Sequence, residues 1–156
     1  LVIVDKNILG KTKRKIPSMM DYRQHIENGS MLNTPPVFAV YVCLLTLRWL
    51  KKIGGVAAIE KLNQEKAGLL YDTLDASKLF IPTVAKEDRS LMNVVFVIKD
   101  PEKEKAFLQI CNQEGMIGVK GHRSVGGFRV SLYNAMPLES VKQLTALMNT
   151  FEQHNA

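Results

Sequence analysis

A segment that is apolar on almost every side constrains the fold of this chain more than any other feature. It runs from about Pro36, the second of two consecutive prolines, to Lys52, and Gly54-Gly55 follow it. Proline is favoured in the first turn of a helix and glycine just past its end, so the segment is predicted to be a helix. A helix without a polar face must be covered by other groups. Its longest apolar run, Val37–Leu47, is too short to cross a bilayer, so we expect the cover to be protein.

The remaining hydrophobic patterns predict a sheet with helices beside it. Helical periodicity recurs over three segments, and short β-rich runs lie between them. The helices are expected at about 56–74, 102–114 and 137–153, and the strands at 80–84, 93–99, 117–119 and 128–132. From Asn93 onward the order is strand, helix, strand, strand, helix. This order predicts a small α+β domain with helices packed on one face of a short sheet.

The first four residues, Leu1–Val4, form a bare apolar run. Such a run is typical of a buried strand in a parallel sheet, which moves the overall class from α+β towards α/β. A central strand is an unusual place for a natural chain to begin. The run therefore predicts that the sequence is a piece of a larger protein.

The charge is unevenly spread. Residues 1–52 hold nine Lys or Arg and three acidic residues, whereas residues 53–156 hold twelve of each. Most of the excess comes from the basic run of residues 11–15. Such a run could contact nucleic acid or anionic lipid, but no aromatic side chains interleave it, so a solvated loop is predicted. The two cysteines, Cys43 and Cys111, have neither metal-ligand spacing nor a disulfide pattern, which favours a reducing, cytoplasmic setting.

The segment 120–129 is the richest in chemistry. It holds four potential cations together with three glycines that let a ligand approach the backbone. The cations are Lys120, His122, Arg123 and Arg129. Because a guanidinium binds phosphate or carboxylate through two parallel hydrogen bonds, the composition suggests a doubly anionic ligand. A charged loop between two short strands is the alternative.

A second candidate anion site precedes the apolar helix. Thr34 is predicted to be the helix N-cap, and the free N–H groups of a helix start attract phosphate. Asn33 would add a donor, although an ordinary cap explains the same residues. None of the three histidines lies near a cysteine or serine in a recognised nucleophile pattern, and no Cys/His cluster could hold a metal.

Three separated segments, in this order, carry a family resemblance that extends over the whole chain. They are residues 28–36 (NGSMLNTPP), 89–94 (RSLMNV) and 120–137 (KGHRSVGGFRVSLYNAMP). The chain resembles the phosphoserine aminotransferases, which belong to the fold-type I, class V aminotransferases that depend on pyridoxal phosphate. The resemblance implies that residues 1–35 end the large cofactor-binding domain, 36–76 form connecting helices and 77–156 form the C-terminal small domain.

The resemblance also implies an activity. The family transfers the amino group of glutamate to 3-phosphohydroxypyruvate, giving phosphoserine and 2-oxoglutarate for L-serine biosynthesis, and in many bacteria it also serves pyridoxine biosynthesis. It works as a homodimer with the active site at the subunit interface. A non-catalytic module for phosphometabolite binding or dimerisation is the alternative function.

The resemblance assigns the site residues as follows. Asn33 and Thr34 would bind the cofactor phosphate of the neighbouring subunit, and His122 and Arg123 would bind the substrate phosphate. Arg129 would hold the substrate carboxylate. The Schiff-base lysine is expected about ten residues upstream of Leu1, so no residue of this chain is predicted to be the catalytic one. Lys6 is rejected for that role because it follows the predicted first strand, whereas the family's lysine precedes it.

Overall fold

The computed structural model describes residues 1–155, and the chain divides into two compact units, residues 1–49 and a second unit that begins at Leu50. The first unit contains two short 3-10 turns, Lys6–Ile8 and Ser18–Met20, and helix α1, Tyr22–Glu27. Helix α2, Val37–Lys52, begins in this unit and ends in the next. Helix α1, which is only six residues long, was not predicted from the sequence.

The predicted strand at Leu1–Val4 is wrong. These residues form no regular structure, and Ile3 is 91% exposed. A buried parallel strand needs hydrogen-bonded neighbours, and residues 1–49 of the structure contain no strand that could pair with this run. Its apolar composition alone therefore does not produce a strand.

The predicted helix α2 is confirmed, but it starts later than the prediction of Thr34 as its N-cap requires. It begins at Val37, three residues after Thr34, so Thr34 is not the N-cap. The second proline explains this: Pro36 disfavours the helical conformation for Pro35, which a helix capped by Thr34 would require. No residue of α2 is buried, and the exposed fraction of Phe38 is 81%.

The second unit contains three helices and a three-stranded sheet. In chain order its elements are α3 (Gly55–Ala76), β1 (Ile81–Pro82), a 3-10 turn (Lys86–Asp88), β2 (Asn93–Val97), α4 (Pro101–Gln113), β3 (Phe128–Ser131) and α5 (Leu138–Asn155). The strands are antiparallel in the order β1-β2-β3, with Val94 opposite Val130 and Phe96 opposite Phe128. The predicted strand at 117–119 is wrong, because Gly118 adopts a φ of +84° that interrupts an extended backbone.

One face of the sheet forms the core. Val94, Phe96, Phe128 and Val130 alternate with more exposed neighbours along β2 and β3 and are buried. Five phenylalanines meet there, among them a stacked pair, Phe96 and Phe128, with ring centres 4.9 Å apart. Helices α3, α4 and α5 contribute to the same cluster, for example through Leu70, Phe107 and Met148. This confirms the predicted α+β arrangement with helices on one face of a short sheet.

A buried lysine fixes the turn that follows β3. Lys66, on α3, has no exposed surface, and its Nζ donates to the carbonyl oxygens of Leu132 (3.1 Å), Tyr133 (2.8 Å) and Met136 (3.2 Å). Burial lowers the pKa of Lys66, and the three carbonyl dipoles offset part of the cost of desolvating the ammonium group. One side chain of α3 thus ties the end of β3 to the helical layer.

Replacing Lys66 should destabilise the chain strongly. In Lys66→Met the three carbonyls lose their shared donor while the apolar stem is kept, and we expect the free energy of unfolding to fall by about 2–4 kcal/mol. Urea unfolding measures this change. Lys61→Met, on an exposed position of the same helix, is the matched control and should change it by less than about 0.5 kcal/mol. Equal effects of the two substitutions would contradict the role given to Lys66.

A second polar contact ties the loop after β1 to the end of α3. The carboxylate of Asp75 accepts two hydrogen bonds from Arg89, at 2.9 and 2.6 Å, and lies 3.1 Å from Lys86 Nζ. The Arg89 guanidinium also lies over the Tyr71 ring, 4.5 Å from its centre. The hydrogen bonds from Arg89, and then that from Lys86, hold the pKa of Asp75 well below its usual range.

The lowered pKa of Asp75 predicts a pH dependence of stability. A carboxyl group with a depressed folded-state pKa stabilises the fold above its unfolded pKa, and the contribution is lost as pH falls through the folded value. We therefore expect the urea midpoint of the wild type to fall more steeply than that of Asp75→Asn between about pH 5 and about pH 2. Parallel pH profiles of the two proteins would contradict the prediction.

The exposed apolar surface of α2 predicts association. We expect the 156-residue chain to form oligomers at high concentration, because contiguous apolar surface of this kind drives protein contacts. Light scattering measures the average molecular mass in solution, and Phe38→Glu should lower this mass towards that of the monomer. Ile117→Glu, which replaces an equally exposed residue outside α2, should leave it unchanged. A monomer at high concentration in the wild type would contradict the prediction.

Candidate functional site

Residues 119–128 form a hairpin-like loop on the free edge of the sheet. The Arg129 N–H donates to the Val119 carbonyl at 2.9 Å, and the Gly121 N–H donates to the Gly127 carbonyl at 2.8 Å. Lys120 forms a single antiparallel bridge with Phe128. These contacts clamp both ends of the loop, so the segment between residues 121 and 127 projects from a fixed base.

Two glycines let this loop close. A Cβ atom at Gly121 would overlap the carbonyl oxygen of Gly126. Gly127 has a φ of +62°, and a Cβ there would lie 2.7 Å from the Phe96 carbonyl oxygen. Since any other residue would push the loop away from β2 and β3, the glycines set the position of the side chains between them.

His122 takes part in a closed turn at the tip of the loop. Its carbonyl oxygen accepts hydrogen bonds from the N–H groups of Val125 (2.9 Å) and Gly126 (2.8 Å). Its ring nitrogen Nδ1 lies 2.6 Å from Ser124 Oγ and accepts from the Ser124 N–H at 3.3 Å. The ring is exposed, so Nε2 is open to a ligand.

Arg123 and Arg129 supply two guanidinium groups without acidic partners. Both residues are exposed, and within residues 50–155 neither forms an ion pair. Arg129 lies between the buried residues Phe128 and Val130, so the strand alternation directs it away from the core. Two unneutralised guanidiniums on one short loop and strand favour the binding of anions.

A cavity of about 370 Å³ lies beside Arg129. The loop 114–119, strand β3 and helix α5 line it, with Ser131, Tyr133, Ser140 and Gln143 among the polar residues. Its volume lies within the range typical of sites for small metabolites. Of the predicted residues, Arg129 lines this cavity, whereas His122 and Arg123 lie on the loop that precedes β3 and do not line it.

Asn33 and Thr34, the other two predicted residues, belong to the first unit. Both are exposed and immediately precede the proline pair before α2. The Asn33 side-chain amide donates to the Thr34 carbonyl at 3.0 Å, and the Thr34 hydroxyl forms no hydrogen bond within residues 1–49. The hydroxyl is therefore available to an incoming acceptor.

Two residues were missed by the sequence analysis. Ser124 contacts His122, a predicted binding residue, and the only sequence signal for it is that serine and glycine are frequent in turns. Lys66 fixes the end of the strand that carries Arg129. No pattern in the sequence distinguishes Lys66 from the exposed lysines of α3.

Other chemistry receives no support from the described residues. Residues 1–155 contain no group of three or more His, Cys, Asp or Glu that could hold a metal, and none of their helices is long and apolar enough to cross a membrane. Burial raises the pKa of the Cys111 thiol to about 11, so it is a poor nucleophile. The basic run at 11–15 forms neither helix nor strand.

Comparison with known proteins gives consistent matches. The family described as aminotransferase class-V matches residues 5–144. The phosphoserine aminotransferase of Porphyromonas gingivalis is 54% identical over 153 residues, which cover 97% of this chain and 42% of that protein. The phosphoserine aminotransferase of Flavobacterium johnsoniae is 54% identical over 152 residues, covering 97% of this chain and 43% of that protein.

Solved structures match as well. A phosphoserine aminotransferase studied for radiation damage of its Schiff base superimposes with a TM-score of 0.88 and 42% identity, over 98% of this chain and 42% of the other. The pyridoxal-phosphate-bound phosphoserine aminotransferase of Trichomonas vaginalis gives a TM-score of 0.78 and 40% identity, over 88% of this chain and 39% of the other. The chain thus spans less than half the length of these relatives.

Proposed function

This chain belongs to the class-V aminotransferase family, and we propose that it supplies the substrate-binding, C-terminal part of a phosphoserine aminotransferase. The proposed reaction transfers the amino group of glutamate to 3-phosphohydroxypyruvate and yields phosphoserine and 2-oxoglutarate. It serves L-serine biosynthesis and, in many bacteria, pyridoxine biosynthesis. Both phosphorylated compounds carry a phosphate at one end and a carboxylate at the other.

The observation that carries this proposal is the pair of unneutralised guanidiniums on one glycine-closed loop and strand. His122 and Arg123 bind the substrate phosphate, which accepts hydrogen bonds on several oxygens. Arg129, at the base of the loop, binds the carboxylate through its planar fork of donors. Because backbone hydrogen bonds hold the base of the loop before the substrate arrives, little binding energy is lost to ordering the loop backbone.

The residues of the first unit fit the phosphate of the cofactor, pyridoxal phosphate. The exposed Thr34 hydroxyl and the unpaired N–H groups at the start of α2 are donors of the kind that bind phosphate, and Asn33 adds an amide. When bound, the cofactor supplies the electron-accepting ring that amino transfer requires. Asn33 and Thr34 then serve to hold and orient it.

The lysine that binds the cofactor covalently lies outside this sequence in our proposal, ahead of Leu1. Among residues 1–155, Lys66 is the one buried lysine, and its ammonium group is committed to three carbonyls. Residue Lys6 belongs to a short exposed turn. Neither lysine has the environment of an activated nucleophile in a pocket.

A homodimer and a cytoplasmic location complete the proposal. The apolar helix α2, none of whose residues is buried, supports an interface between two copies, and the neighbouring copy would contribute the active site that receives Asn33 and Thr34. Two unpaired cysteines, Cys43 and Cys111, support a reducing compartment.

Calorimetry with two probes tests the division of roles between the arginines. Because Arg123 is assigned to the phosphate, Arg123→Met should lower the affinity for both phosphoserine and inorganic phosphate by about tenfold. Because Arg129 is assigned to the carboxylate, Arg129→Met should lower the affinity for phosphoserine by about tenfold and leave the affinity for inorganic phosphate unchanged.

Lys99→Met is the matched control for lost positive charge, since Lys99 is exposed and lies outside the loop. It should leave both affinities unchanged. If Arg129→Met lowered the affinity for inorganic phosphate as much as the affinity for phosphoserine, the assignment of Arg129 to the carboxylate would be wrong.

A further inference from the structure

We propose that Ser124 is a positioning residue that makes His122 present Nε2–H to the substrate phosphate. This inference rests on the proposed function, because it concerns how His122 meets that phosphate. Ser124 is exposed and follows His122 by two residues in the loop. It acts through the imidazole ring rather than on the substrate.

The backbone of Ser124 determines which ring nitrogen carries the proton. Its N–H donates to His122 Nδ1 at 3.3 Å, and a backbone N–H can only donate. Nδ1 is therefore the acceptor nitrogen of the ring. A neutral imidazole has one acceptor and one donor nitrogen, so the proton resides on Nε2.

The Ser124 hydroxyl further favours the tautomer with the proton on Nε2 and holds the imidazole ring in place. Its Oγ lies 2.6 Å from Nδ1, and a hydroxyl can rotate to donate to the same lone pair. Two donors from one residue thus face Nδ1. The carbonyl of His122 is held by the N–H groups of Val125 and Gly126, so the backbone that carries the ring is fixed as well.

The tautomer matters because a phosphate dianion offers only acceptors. Nε2–H donates to it, whereas a bare Nε2 lone pair would face the anion and repel it. Nε2 forms no hydrogen bond with any residue between 50 and 155, so it is free for this contact. Arg123, the next residue, supplies charge at the same tip of the loop, and His122 supplies one directed hydrogen bond.

The experiment combines nitrogen NMR with calorimetry on the 156-residue chain. The ring nitrogens of His122 are observed in ¹⁵N-labelled protein at a pH where imidazole is neutral, and His122→Gln assigns them. Wild type should show a protonated Nε2 and an acceptor Nδ1 shifted by its hydrogen bonds. Ser124→Ala should shift the Nδ1 resonance towards that of an acceptor nitrogen without a hydrogen bond. It should also lower the affinity for phosphoserine about three- to tenfold.

Two further variants separate positioning from a merely structural role. Ser124→Thr keeps the hydroxyl and should restore both the Nδ1 resonance and the affinity. Ser18→Ala, which removes an exposed serine hydroxyl in the first unit, should change neither.

A proton on Nδ1 in the wild type, or an unchanged Nδ1 resonance in Ser124→Ala, would overturn the proposal. A fall in affinity without a change in that resonance would overturn it too, since Ser124 would then contact the phosphate directly. If the wild type bound no phosphoserine although its Nδ1 responded to Ser124→Ala, the substrate assignment would fail and the Ser124–His122 contact would stand.

Discussion

Burial of alternate residues along β3 is the constraint on which the rest of the second unit depends. Phe128 and Val130 must face the aromatic core, and the two-residue period of a strand then places Arg129 on the opposite side. The packing that stabilises the sheet therefore also sets the direction of the guanidinium. A slip of one residue in the pairing with β2 would bury Arg129 and expose two apolar side chains, so the register is strongly selected.

Hydrogen bonds to backbone groups fix both ends of this strand in addition to apolar packing. At its start, Gly121 and Gly127 allow the loop to close tightly against the strand edge. At its end, Lys66 binds three carbonyls of the following turn. Arg129 thus lies on a short, well-anchored element, while His122 and Arg123 lie on the loop that this element supports. A binding site built in this way is largely ordered before its ligand arrives.

The sequence predicted most of this fold because the signals were local. Helices α2 to α5 and strands β2 and β3 lie within about two residues of their expected bounds, since capping residues, glycines and hydrophobic periodicity all act nearby. The failures have non-local or backbone causes. Leu1–Val4 has strand composition without a pairing partner, and Thr34 is displaced from the cap position by the second proline.

The site was predictable in part. Charge and glycine content indicated the 120–129 segment, whereas the roles of Lys66 and Ser124 depend on contacts that only the folded chain creates. The division into segments 1–35, 36–76 and 77–156 stays a prediction. Within the second unit, α3 packs into the same core as the sheet through Ala67, Leu70 and Leu74.

The central claim is that one loop and one strand hold a molecule by its two anionic ends. A ligand series on the wild-type chain tests it most directly: the affinities of phosphoserine, of phosphoethanolamine, which lacks the carboxylate, and of serine, which lacks the phosphate. The account predicts that each truncated compound binds at least about tenfold more weakly than phosphoserine. Phosphoethanolamine binding as tightly as phosphoserine would contradict it, because the carboxylate would then contribute nothing.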